Sequence, residues 1–297
     1  MSFTAKCPKC KRDTGVMFDF ESGDKIISCC GKYSPAVDLA FNAQPEFLFK
    51  YRPHDAYSES WIVNEELFFA SSAMFNDPFD SKVMYSVEGT PEQQKQYWNR
   101  MLVEKMPGIK KKKKWKIIKN VVKKNALQTD HENHLERMQK HIDGYYIASF
   151  SRKSDDLLMF AYYAKDHSGY CLKYRRSSEN ILSMARPVIY EQHYPKFSLL
   201  DSEFKKKGSL GDKVLFTKAK CWEHEDEWRV GFANLPERVL KSPHAILDGI
   251  ILGCKMKSEQ REEIIKLNKR RSKPVAIFEA RKKKFEFALE IAELPCN

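Results

Sequence analysis

The run from Gly144 to Tyr174, GYYIASFSRKSDDLLMFAYYAKDHSGYCLKY, constrains this chain more than any other stretch. Tyr145 to Phe150 is rich in aromatic and β-branched residues and predicts a strand that ends at Ser151. Ser154 is a candidate N-cap for a helix over roughly Asp155 to Asp166. Ser168-Gly169 breaks that helix, and Tyr170 to Tyr174 alternates as a second strand. A strand, a polar turn, an aromatic-rich helix and a return strand form a natural cradle for a ligand, to which the rest of the chain supplies charged groups.

The chain has 297 residues, enough to bury a core and carry a small extra module. At 42% hydrophobic and 12% aromatic residues, it reads as globular. Its apolar runs all fall short of the roughly 20 residues a membrane span needs. MSFTAKCPKC contains no apolar signal core. Of eight cysteines, four are scattered singly, which does not read as a disulfide scaffold. A cytoplasmic protein with no membrane partner is expected.

The net charge of +12 is concentrated. Lys105 to Lys124 holds ten lysines and no acid, and Lys266 to Lys284 holds nine basic residues against Glu279 alone. The patches Lys110–Lys124 and Arg270–Lys284 can attract nucleic acid through counterion release. They can equally be solvated helix faces, because charge alone supports non-specific contact rather than a site.

Residues 1–42 read as a separate zinc-ribbon-like module. Cys7 and Cys10 have the C-x-x-C spacing that brings two thiolates to one metal, and Cys29-Cys30-Gly31 follows. Zinc on Cys7, Cys10, Cys29 and Cys30 is one reading. A degenerate ribbon without metal, or a pair of reactive thiols, is the other, since adjacent cysteines point in different directions.

The main domain is expected over 43–297, beginning with a strand from Phe47 to Arg52 stopped by Pro53. A short helix around Glu59 to Asn64 and a buried strand at Leu67 to Ala70 lead to the turn Phe75-Asn76-Asp77-Pro78-Phe79-Asp80. A lysine-rich helical insertion spans 88–143. It opens at Thr90-Pro91, an N-cap with proline at the first helical position. In its middle, Trp115, Ile117, Ile118, Val121 and Val122 make a packing stripe in preference to a base-stacking surface. A helix at Ser177 to Met184, strands at Pro187 to Glu191 and Ala245 to Gly253, a helix at Ser258 to Arg271 and strands at 274–279 and 284–292 complete the reading. Irregular interleaving argues for α+β rather than a doubly wound sheet. Neither G-x-G-x-x-G nor a Walker pattern is present.

Several residues are candidates for chemistry. In an extended strand, Glu225 and Glu227 share one face, where one carboxylate can stabilise a developing cation and the other orient a nucleophile. They can also be a solvated acidic turn balancing Lys218, Lys220 and Arg229. Arg52, beside Tyr51, suits bidentate phosphate binding from a rigid strand, or snorkels at a sheet edge. Ser149 and Ser151 flank Phe150, so both hydroxyls face one side. They orient a ligand or a glutamate, or simply end a strand. Tyr162 and Tyr163 give the helix an aromatic side suited to core packing or to stacking on a flat ring. The histidines do not cluster at metal-ligand spacing.

Four blocks carry a resemblance: Tyr51-Arg52-Pro53, Phe75-Asn76-Asp77-Pro78-Phe79-Asp80, the region from Phe150-Ser151 to Gly169-Tyr170-Cys171-Leu172, and Trp222 with Glu225-x-Glu227-Trp228-Arg229. Over about residues 47 to 255 the chain resembles a bacterial family known as domain of unknown function twenty-nine seventy-one, often met near phage-defence genes. Phe160 and Tyr162 depart from it, standing where that family usually shows Trp and His. The pattern is in turn remotely similar to ADP-ribosyltransferases, which carry an arginine, a serine and an E-x-E glutamate on successive strands. The resemblance implies a mixed or antiparallel split sheet, NAD as substrate, Arg52 on the NAD phosphates and Ser149 or Ser151 positioning the glutamate. It implies Glu227 on the nicotinamide ribose, Glu225 orienting the acceptor, and Tyr162 or Tyr163 beside the nicotinamide. A toxin that modifies RNA or DNA, held by a neutralising antitoxin, is the expected function. The alternative is a non-enzymatic nucleic-acid- or protein-binding module of a defence system.

Overall fold

The computed structural model describes residues 45–295 apart from 85, 130, 178, 196, 199, 201–209, 234, 236 and 242–244, together with the backbone of four strands in the first 44 residues. Those strands are β1 (Thr4–Lys6), β2 (Asp13–Phe18), β3 (Lys25–Cys29) and β4 (Lys32–Pro35), an antiparallel meander in sequence order. Cys7, Cys10 and Cys30 lie outside the described residues, and Cys29 is described only as the last backbone position of β3. The zinc reading therefore rests on spacing alone.

The chain continues with β5 (Phe47–Arg52), α1 (Ser58–Ile62), β6 (Glu66–Phe68) and β7 (Ala70–Ser71). Four helices follow, α2 (Pro91–Lys105), α3 (Lys111–Lys123), α4 (Ala126–Thr129) and α5 (His131–Asp143). Next come β8 (Tyr145–Ser151), α6 (Leu157–Tyr163), β9 (Tyr170–Arg175), β10 (Arg186–Pro187) and β11 (Ile189–Glu191). The chain ends with α7 (Leu210–Leu215), β12 (Thr217–Ala219), β13 (Glu227–Ala233), β14 (Val239–Lys241), β15 (Leu247–Leu252), α8 (Ser258–Lys269), β16 (Ala276–Lys282) and β17 (Leu289–Glu293).

Two compact units emerge. One combines 3–71, 146–188 and 220–297; the other combines 72–145 and 189–219, and so contains the expected insertion 88–143. In the first, a mixed sheet runs β10-β13-β8-β5-β9-β15-β16-β17, with β7 also on β8. β15 and β16 are parallel, whereas β5–β9 and β9–β15 are antiparallel. The expectation of a mixed sheet with several helices agrees with this arrangement.

Alternation along the strands builds two cores. Leu48, Phe150, Leu172, Tyr174, Trp228, Val230 and Ile250 bury one face against Trp61 and Ile62 of α1 and Ile264 and Leu267 of α8. Tyr51, Cys171 and Ile251 bury the other face against Met159, Phe160 and Ala164 at α6. β5 and β9 share six register pairs, from Phe47↔Arg175 to Arg52↔Tyr170. β5 and β8 share one, Phe49↔Ser151, so the sheet opens on either side of that point.

The central stretch differs from its sequence reading in two details. The cap of α6 is Asp156, not Ser154; its carboxylate accepts from Leu158 N at 2.9 Å and Met159 N at 3.0 Å. A carboxylate two residues further on outcompetes the serine because it reaches two free amides at once. The helix also ends earlier, at Tyr163, because Lys165, Asp166 and His167 all take positive φ, 46°, 53° and 68°. Gly169 then passes so close to β5 that a Cβ there would stand 2.2 Å from the Arg52 carbonyl oxygen. Glycine is required at that crossing by contact rather than by turn geometry.

In the second unit, the predicted opening of α2 is borne out as a capping box. Gln93 N donates to Thr90 Oγ1 at 3.2 Å, and Thr90 N donates to Gln93 Oε1 at 2.8 Å. On α3, Ile118 is buried and Ile117, Val121 and Val122 are less so, while Trp115 is 47% exposed. The apolar stripe is thus packing, with the indole left outside it. Lys110 to Lys113, Lys116, Lys119, Lys123 and Lys124 are solvent-exposed.

Candidate active site

The three strands that carry the predicted arginine, serines and glutamate, β5, β8 and β13, are neighbours in the sheet. The residues nonetheless divide between its faces. The Phe49↔Ser151 pair sets Ser149 and Ser151 on the α6 side, with Tyr51. Arg52 falls on the α1 side by alternation, and its guanidinium carbon sits 4.3 Å above the Trp61 ring. Burial pushes the Arg52 guanidinium below its ordinary pKa, and its Nε is buried with no hydrogen-bond partner among the described residues.

Glu225 and Glu227 do not lie on one strand face as alternation predicts. Glu225 closes a 3₁₀ turn, Lys220–Glu225; Asp226 takes φ 44°; and β13 starts only at Glu227. The left-handed Asp226 resets the backbone, so the two carboxylates have different neighbours. Glu225 is 3% exposed and its Oε1 accepts from the Tyr163 hydroxyl at 2.7 Å. Glu227 is 5% exposed and holds Arg229, with Arg229 Nε donating to Oε1 at 2.7 Å and NH2 to Oε2 at 3.0 Å. This fork is the bidentate geometry that suits guanidinium and carboxylate. The reading of a solvated acidic turn is therefore corrected for both glutamates. Burial against partners, not balance in water, determines their state.

Ser151 ties the two segments together. It is fully buried, its Oγ donates to the Glu225 carbonyl oxygen at 2.6 Å, and it accepts from Lys153 N at 3.0 Å. Arg152 N donates to the Asp226 carbonyl oxygen at 3.1 Å, and Arg152 Nε to Asp226 Oδ2 at 2.7 Å. Lys153 Nζ donates to the His224 carbonyl oxygen at 2.8 Å. Successive residues after β8 thus clamp the turn that bears Glu225.

Tyr51 is a packing residue with a polar tip. It meets Phe160 edge to face at 4.9 Å, and its hydroxyl donates to the Lys153 carbonyl oxygen at 2.9 Å. Ser149 is half-buried, and its carbonyl oxygen accepts from Lys50 Nζ at 2.5 Å. Tyr162 is 61% exposed and faces Trp222 edge to face at 6.4 Å. Of the two tyrosines, Tyr162 can meet a ligand at the surface while Tyr163 serves Glu225.

Sequence reasoning missed Lys50. Its amine extends across the opening between β5 and β8, 5.4 Å from the Phe150 ring centroid. Burial and the nearby Arg52 charge bring its pKa down to about 7, against an opposing pull from Glu227. Lys50 thus stands in the fields of both Arg52 and Glu227. The alternation of FLFKYR carried the signal: a lysine two residues before Arg52 shares its face.

Among the described residues, no group of three or more His, Cys, Asp or Glu side chains is arranged to hold a metal ion. No described helix is long and apolar enough to cross a membrane. Compared with known proteins, the chain matches no family model, no curated sequence and no solved structure.

Proposed function

We propose that this chain is an NAD-dependent mono-ADP-ribosyltransferase that modifies a macromolecule, with nucleic acid as the favoured acceptor. The observation that carries the reading is the adjacency of β8 and β13, where Ser151 holds the turn of Glu225 beside Glu227 in a sheet that opens between β5 and β8; Arg52 on β5 lies on the other face and does not join them. The resemblance to the uncharacterised bacterial family and to ADP-ribosyltransferases supports the same assignment.

In this mechanism the bond between nicotinamide and ribose C1′ breaks, and its electron pair leaves with nicotinamide. The acceptor's lone pair forms the new bond to C1′, and its proton passes to Glu225. The oxocarbenium-like centre that develops is stabilised by Glu227, as carboxylates do in glycoside hydrolysis. Tyr162 stacks on the nicotinamide ring, whereas Arg52, packed over Trp61 on the other face of the sheet, stays outside this pocket, and its expected role as a phosphate ligand is corrected. Glu227 must exchange part of its contact with Arg229 for the ribose hydroxyls.

Nucleic acid as acceptor is supported by the exposed lysines of α3 and by the β16–β17 hairpin. There Phe285 and Phe287 are fully exposed beside Lys282 and Lys284. The Arg270–Lys284 patch is weaker than its sequence suggests, because Arg270 pairs with Glu59 at 2.5 Å, Arg271 with Glu65 at 2.6 Å and Arg281 with Glu279 at 3.0 Å. A cytoplasmic toxin of phage defence, with a neutralising antitoxin and a structural zinc on Cys7, Cys10, Cys29 and Cys30, completes the proposal.

A second reading is favoured by the fork between Arg229 and Glu227, which occupies both carboxylate oxygens. In it the glutamates are structural and the protein binds nucleic acid or protein without catalysis. Labelled NAD incubated with the protein and, in turn, RNA, DNA and cell lysate separates the two. Label transfer, or release of free nicotinamide, that is lost in folded Glu225→Gln and Glu227→Gln supports the enzyme. Salt-sensitive binding without turnover supports the module.

A further inference from the structure

The second unit contains a cavity of about 570 Å³, within the usual range for small-molecule sites. It is built from the turn after Pro78, the segment following β11, and β12. β11 and β12 pair in parallel, with Tyr190 opposite Lys218 and Glu191 opposite Ala219, which brings residues 191–195 beside 217–219. The turn is fixed by its own polar groups. Phe79 N donates to Asp77 Oδ1 at 2.9 Å, and Ser81 Oγ to Asp80 Oδ1 at 2.9 Å. Asp77, Asp80 and Ser81 are buried, so the turn is a rigid wall rather than a mobile loop.

Besides the carboxylate of Glu191 and the imidazole of His193, the lining combines three kinds of group. Phe79 and Tyr194 both line the cavity and remain 65% and 37% exposed, large rings left uncovered by the fold. Lys82 supplies positive charge; Lys218, 7% exposed, has its charge offset by Asp80, its Nζ lying 4.0 Å from Asp80 Oδ2. Gln192 adds an amide that both donates and accepts. Flat apolar surface calls for a flat ring, a lysine calls for an anion, and an amide reads a ring edge carrying donors and acceptors.

We propose that this cavity binds a nucleotide, its base against Phe79 and Tyr194, its base edge on Gln192 and its phosphate on Lys82. Base stacking on aromatic side chains is tolerant of sequence, while lysine contacts make binding depend on salt. The shared chemistry admits two sources, a free mononucleotide or one nucleotide of a single strand. This inference does not rest on the transferase reading.

The test is calorimetric titration of the full chain with AMP, GMP, CMP and UMP, and with a mixed-sequence single-stranded 12-mer of RNA and of DNA. Binding by at least one probe is expected, weakened about ten-fold in Phe79→Ala, as loss of one stacking partner implies. Lys82→Ala is expected to weaken it and flatten its salt dependence. Because Phe79 is exposed, Phe79→Ala leaves folding intact, and circular dichroism confirms that. Mononucleotide affinity equal to that of the 12-mer assigns the free nucleotide; tighter 12-mer binding, still sensitive to Phe79→Ala, assigns the strand. Absence of binding by every probe overturns the proposal, as does affinity unchanged in both Phe79→Ala and Tyr194→Ala.

Discussion

The Tyr163 hydroxyl donates to Glu225 Oε1 at 2.7 Å, linking the end of α6 to a carboxylate that is 3% exposed. A buried carboxylate deprived of a donor retains its full desolvation cost. Tyr163→Phe is therefore expected to destabilise the protein by about 1–3 kcal/mol, read as a fall in urea midpoint at unchanged m-value. Ser151→Ala, which frees the Glu225 carbonyl oxygen, is expected to cost a similar amount. An unchanged midpoint in both variants would show that the turn does not depend on these bonds.

Arg229 is 1% exposed and Glu227 5% exposed. Removing one member of a buried pair strips its partner of that pairing, so Arg229→Met is expected to cost roughly 3–5 kcal/mol. The double change Arg229→Met with Glu227→Gln should recover much of that deficit. A double-mutant cycle in urea measures the coupling.

Lys50 gives a pH dependence of known sign. Its folded pKa, about 7, lies below its ordinary value of 10.5, so the native state binds fewer protons than the unfolded chain between those pH values. Stability contributed by this site is therefore lowest below about pH 7 and rises with pH through that window. Unfolding of wild type and Lys50→Met at about pH 6, 8 and 9.5 checks it. The stability advantage of Lys50→Met should shrink as pH rises; a constant difference would contradict the assignment.

The nucleic-acid partner predicts a salt slope. Replacing Lys111, Lys112 and Lys113 with Ser should lower retention on RNA and DNA. The slope of log affinity against log salt should fall by about 0.7–0.9 for each phosphate that the variant no longer neutralises. Phe285→Ser with Phe287→Ser should weaken single-strand binding by about ten-fold while leaving the thermal midpoint unchanged, since both rings are fully exposed.

The four N-terminal cysteines predict metal content. Purified wild type is expected to carry about one zinc per chain, and Cys7→Ser substantially less, by elemental analysis. Equal and negligible zinc in both would leave the module as a metal-free ribbon.

FLFKYR, TPEQ and YYIASFS each determined their own local structure: a strand before Pro53, a capping box, and a strand ending at Ser151. These forms depend on side-chain alternation, fixed φ at proline and groups within three or four residues, all present in the linear order. The same order placed Arg52, Ser149 with Ser151, and Glu227 each on a strand. What it could not supply was register. The single Phe49↔Ser151 pair decides that Ser151 and Arg52 leave opposite faces of the sheet, and the left-handed Asp226 separates Glu225 from the strand that bears Glu227. Lys50 drops to a pKa of about 7 because distant segments of the chain desolvate it and the Arg52 charge adds to the fall, while Glu227, brought near by the fold, opposes it. Desolvation and charge coupling depend on distances through space, so only the tertiary structure could establish them.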